Sequence, residues 1–220
     1  CALPISVRGA GTGYAGVYIE DCGDYCHIHK VMTMDCARGV WVKTVAASSS
    51  IHLEHIRIET SSSFANLQHM LLVEAAAGYD LTVHAENYDS IQAVNSFSGS
   101  QHRVVGADAY LYMRTFHIID QSASIAVELE NGSHAVLSNG KIENQSGIGV
   151  QVNNTGSAPS LVMSSSIFDD SVATLFSILN PNTSGNFQGT ASKERCGIHP
   201  DSSFFINNTD ARIVTVAKKG

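Results

Sequence analysis

The chain is built from short stretches in which apolar and polar side chains alternate. Seven of them open similar blocks: VYIED from Val17, VWVKT from Val40, LLVEA from Leu71, VNSFS from Val94, VELEN from Val127, VQVNN from Val150 and FSILN from Phe176. Their starts lie 23, 31, 23, 33, 23 and 26 residues apart. Second and third alternating stretches follow inside a block. They are Cys26–His29 and Val31–Met34 in the first, Ile51–Glu54 and His55–Glu59 in the second, and His134–Leu137 and Gly140–Glu143 in the fifth. Alternation with period two predicts strands with one face in and one face out. Turn signals such as Asn131-Gly132 and Asn139-Gly140 separate them. No segment sustains the 3.6-residue period of a helix.

Three short strands per block, repeated about every 23 residues, predict an all-β, single-domain parallel β-helix of about seven coils. Val17, Val40, Leu71, Val94, Val127, Val150 and Phe176 are expected to stack as one inward ladder. Ile19, Val42, Val73, Leu129, Val152 and Ile178 form the next. At ~4.8 Å per coil the rod is on the order of 30 Å long. A β-sandwich explains the short strands but not the period, because its hairpins have none. Residues 1–186 are assigned to the β-helix and 187–220 to a C-terminal capping segment of the same domain.

Composition narrows the function. Charged residues make up 15% of the 220, while Ser, Asn, Thr and Gly number 27, 13, 12 and 18. That texture suits strands and turns and disfavours helix bundles. The net charge is −7 with no basic run, which argues against nucleic acid as a partner. No apolar run reaches the roughly 18 residues of a membrane span, so no membrane association is expected. Five cysteines are too few for a disulfide scaffold. Cys22 and Cys26 stand close enough to bridge a turn, and free thiols are the preferred reading.

Three outward features follow from the ladder register. Tyr18, Trp41 and Leu72 alternate with inward residues on successive coils. They predict an apolar column that serves as a subunit interface or as a sugar-stacking platform. Glu20, Lys43 and Glu74 form a parallel column with a lysine in its centre, a poor cation site and a natural surface ladder. His27, His29, His52 and His55 fall on the second and third strands of the first two coils. His27 and His52 should stack on one outer face, but a metal needs three or four converging ligands, and the sequence register is too loose to assign them. No metal and no cofactor is therefore expected.

The period and pattern from Val7 to Asn208 resemble a pectate-lyase-like β-helix, which implies an all-β, single-domain right-handed parallel β-helix of about seven coils. The low charge, the Ser/Asn/Gly texture and the stretch Cys196–Asn208 look most like its bacteriophage members, the tailspikes and virion-decorating proteins. Polygalacturonase-like members share Asn-Thr-Asp, Asp-Asp, Gly-His-Gly and Arg-Ile-Lys stretches, of which this chain has only Asp169-Asp170. Adjacent strand residues point to opposite sides, so Asp169 and Asp170, like Glu20 and Glu74, are weak carboxylate candidates and no catalytic residue is assigned. The resemblance implies a non-enzymatic structural protein of a phage particle, a homotrimer on the virion surface in contact with other virion proteins. The alternative it implies is a tailspike-type domain that binds or depolymerises a host surface glycan, as a polysaccharide hydrolase or lyase.

Overall fold

The apolar edge of a six-residue stretch is too short to form a core alone, but its recurrence gives each stretch like neighbours to stack on. The computed structural model, which describes residues 5–8, 14–94, 97–122, 124–144, 147–153, 159–168, 172, 174–179, 185–193 and 202–208, contains that stack. It is an all-β parallel solenoid of about six turns. In chain order the strands are β1 (Ile5–Arg8), β2 (Ala15–Glu20), β3 (Cys26–Met34), β4 (Arg38–Thr44), β5 (Ser49–Thr60), β6 (His69–Ala75), β7 (Leu81–Gln92), β8 (Ser100–Val105) and β9 (Ala109–Asp120). They continue as β10 (Ile125–Glu130), β11 (His134–Ser138), β12 (Lys141–Asn144), β13 (Ile148–Asn153), β14 (Ser160–Phe168), β15 (Thr174–Leu179), β16 (Gly185–Lys193) and β17 (Ser202–Asn208).

The chain winds between two sheets. A seven-stranded sheet runs β2-β4-β6-β8-β10-β13-β15, and a ten-stranded sheet runs β1-β3-β5-β7-β9-β11-β14-β16-β17 with β12 beside β9 and β14. All pairings are parallel except β16 with β17, which is antiparallel.

The second and third stretches of each block are the two arms of one bent strand. β3, β5, β7 and β9 each turn a corner at a single residue in the left-handed region: Lys30 (φ 56°), His55 (φ 54°), Asn87 (φ 50°) and Thr115 (φ 52°). Asn139 (φ 53°) breaks β11 from β12 at the same level, and Ser165 (φ 48°) bends β14. A corner residue of this kind lets two consecutive side chains point outward. The pair Glu54 and His55 both reach solvent before Ile56 returns to the core.

The predicted ladders hold in every coil but one. Val17, Val40 and Leu71 are in register, as are Val127, Val150 and Phe176. The fourth member is His102 of β8, not Val94, and Val104 completes the second ladder. Val94 is buried but lies in the loop before β8. The stretch from Val94 copies the 23-residue spacing, whereas the true strand carries a histidine where its neighbours carry aliphatic residues.

Candidate functional site

The outer face of the seven-stranded sheet carries the predicted column. Tyr18 lies opposite Trp41 and Trp41 opposite Leu72, and the row continues through Arg103, Glu128, Gln151 and Ser177. Register places the three residues together, but their exposure falls steeply. Tyr18 is 49% exposed, Trp41 is half-buried and Leu72 is 3% exposed. Leu72 is thus a filled position rather than open apolar surface. Its coil is flanked by two long spacer loops, 61–68 and 93–99, whose Phe64, Leu67 and Val94 are buried.

Trp41 is held from three sides. The Tyr18 ring lies 4.7 Å away at 54°, the Arg38 guanidinium stands 4.4 Å above the indole, and indole Nε1 donates to Glu74 Oε2 at 2.6 Å. The cation–π contact and the charge-assisted hydrogen bond both fix the ring. The Tyr18 hydroxyl donates to Glu20, and that bond pushes the phenol up to about 12. Glu20, Lys43 and Glu74 do stand in one register row. Their carboxylates engage the two aromatic rings, so the row buttresses the aromatics instead of forming a simple charge ladder.

Beside this strip the sequence reading missed a pocket of about 540 Å³. Arg38, His69 and Arg103 line its polar side, and Leu67, Val94 and Phe97 its apolar side. Arg38 Nε and Arg103 Nε are shielded from water and form no hydrogen bond. Arg103 also pairs with Glu130 and lies 3.9 Å from Glu128. Burial holds the His69 imidazole below its usual range, and its Nδ1 meets the Ser100 carbonyl at 2.8 Å. The pocket therefore presents two guanidinium groups beside an aromatic surface, with Arg103 already paired to a carboxylate and Arg38 seated on Trp41. The signal in the sequence is the lengthening of two spacings, which builds the loops that wall it.

The ten-stranded sheet carries a second outward row. His27, His52, His84 and Tyr112 are in register. The His52 and His84 rings stack at 4.6 Å, and the His84 and Tyr112 rings at 4.9 Å. The expected alignment of His27 and His52 is present, at 6.3 Å and edge-on. Near its first-coil end Glu54 accepts from or pairs with His27, His29 and His55. A third row on the far arm is a charge ladder through Arg57, Asp89, His117, Glu143 and Lys141.

Cys22 and Cys26 are free thiols that pack half-buried against the end of the core, where burial raises the Cys22 thiol, and Cys36 is buried with its Sγ toward the Met34 carbonyl. Asp169 and Asp170 lie outside the described residues. The chain matches no protein family, no curated protein and no solved structure.

Proposed function

We propose that the chain is a non-enzymatic structural β-solenoid of a bacteriophage particle, a capsid-decorating or appendage protein that assembles as a homotrimer through its first coil. One observation carries the assembly reading. Among the described residues the three most exposed large apolar side chains, Tyr14 at 68%, Tyr25 at 62% and Tyr18 at 49%, all sit on that coil. There β2 pairs on one side only among the described residues, leaving a row of backbone groups free to bond. Tyrosine is enriched at interface centres because it supplies large, rigid area with a polar tip. The phage assignment rests on the fold and on the low-charge Ser/Asn/Gly texture. Mass photometry of the purified chain tests assembly: a trimer is expected, and the Tyr14→Ser/Tyr18→Ser/Tyr25→Ser variant should be monomeric. Trp41→Ala, which removes the support of the Tyr18 ring, should weaken association by at least ~2 kcal/mol. A monomer at micromolar concentration overturns self-assembly.

The pocket favours a second reading, a tailspike-type domain that binds or cleaves a host surface polysaccharide. Arg38 and Arg103 would hold a sugar carboxylate while Tyr18, the exposed ring of the strip, offers a stacking face. Binding of acidic over neutral oligosaccharides, lost in Arg103→Ala, supports it. Equal or absent binding of the two removes it.

A further inference from the structure

We propose that the outer corner of the first two coils binds a divalent first-row transition metal through His29, Glu54 and His55. The backbone brings the three together. His29 of β3 lies directly opposite Glu54 of β5 in the parallel register. Strict alternation would turn His55, the next residue, into the core. Its left-handed φ of 54° instead leaves Glu54 and His55 side by side on the outside. Two adjacent ligands from one strand thus face a third from the coil beside it.

The geometry is close to a chelate. One donor atom from each of the three side chains lies within 4.8 Å of the others. Glu54 Oε1 is 3.4 Å from His55 Nδ1, and Glu54 Oε2 is 4.0 Å from His29 Nε2. A tetrahedral ion with bonds of about 2.0–2.2 Å holds its donors roughly 3.3–3.6 Å apart. Rotation of exposed side chains closes the difference with no backbone movement. His27 Nε2 bonds the same carboxylate at 3.1 Å, so it orients Glu54 or supplies a fourth nitrogen. Among the described residues the ion partners of Glu54 are these three imidazoles, and no lysine or arginine pairs with the carboxylate. Two imidazoles and one carboxylate suit zinc, nickel, cobalt or copper; calcium and magnesium prefer an all-oxygen shell. The ion would clip the first coil to the second at the end where Tyr25 and the open β2 edge also lie.

The test uses the full chain with Zn²⁺ in calorimetry and Co²⁺ in visible absorption. One ion per chain is expected, with the intense visible bands of tetrahedral cobalt and a raised Tm. His29→Gln and His55→Asn should each weaken binding at least tenfold. Asparagine tolerates the left-handed corner, so the second variant keeps the fold while removing the ligand. His84→Ala, on the same face but outside the cluster, should bind as the parent does. Wild-type affinity in His29→Gln or His55→Asn, an equal loss in His84→Ala, or no zinc uptake by the parent chain each overturns the site. The readout is per chain, so it stands or falls separately from trimer formation.

Discussion

The Tyr88 hydroxyl meets His102 Nε2 at 3.1 Å inside the aliphatic core, where the two residues are 1% and 0% exposed. On its other side, His102 Nδ1 lies 2.8 Å from the Ala126 carbonyl. A carbonyl only accepts, so Nδ1 carries the hydrogen and Nε2 takes the Tyr88 proton as acceptor. One neutral tautomer satisfies every polar atom of the pair. Burial holds the imidazole down at about 4.

That value sets an acid window. The unfolded histidine titrates near 6.5, so it gains a proton before the folded one does. Stability from this group is whole above pH ~6.5 and falls away down to pH ~4, by about 3 kcal/mol in total. Buried Asp120 and Glu128, whose carboxyls are raised, act in the opposite sense. His102→Leu isolates the term. At neutral pH it costs ~1–3 kcal/mol, because Tyr88 and Ala126 lose their partner. Urea unfolding at stepped pH should show that penalty shrinking from pH ~6.5 to ~4. A penalty independent of pH contradicts the neutral buried imidazole.

His102 also explains what was and was not legible in the sequence. Inward Val, Leu and Ile at period two marked six of the seven strands of one sheet, since nothing else in those blocks resembled a core edge. In the fourth coil the inward residue is polar, so hydrophobic pattern selected the wrong stretch. The corners were hidden for a different reason. Lys30, His55, Asn87, Thr115, Asn139 and Ser165 share a backbone geometry but no side-chain chemistry, and only asparagine advertises it. The pocket was invisible because Arg38, His69 and Arg103 become neighbours only after coils stack. The Tyr18–Trp41–Leu72 row was readable as a row, but its exposure depended on loops that periodicity does not describe.

The corner at Thr115 is a stability reserve. A β-branched residue at φ 52° carries strain that glycine does not. Thr115→Gly should raise stability by about 1 kcal/mol in spite of the added unfolded-state freedom. Urea midpoints measure it, and a loss would show that the corner carries no strain.

Gly39 has the opposite character. A Cβ there would stand 2.3 Å from Ile58 Cγ2 and 2.6 Å from the Met70 carbonyl oxygen. The oxygen belongs to the neighbouring strand and cannot rotate away. Gly39→Ala should cost ~1–3 kcal/mol, seen as a lower thermal midpoint with the strand signature retained in circular dichroism. An unchanged midpoint would mean the coils are looser there than drawn.

The hydrogen bond from Tyr18 to Glu20 has its own spectroscopic readout. With its phenol raised to about 12, Tyr18 should ionise later than an unperturbed exposed phenol in an ultraviolet titration, as should Tyr88 and Tyr110, which burial raises. Glu20→Gln removes the charge and the strong acceptor, and Tyr18 should then titrate earlier, toward its ordinary range near 10. Tyr18→Phe should remove one tyrosine from the late phase and leave the shares of Tyr88 and Tyr110, which burial also raises. If neither variant alters the titration curve, Glu20 does not hold the ring.

Parallel stacking of coil on coil makes length a separable property of this molecule. Each strand bonds only to the strand one coil before and one coil after it, as β6 does with β4 and β8. A whole coil can therefore be removed or duplicated among the later turns with a change of ~4.8 Å in reach and little effect elsewhere. The aromatic strip, the arginine pocket and the histidine corner all sit on the earlier coils. The rod can thus be lengthened or shortened in its later coils without disturbing the residues that form those three features.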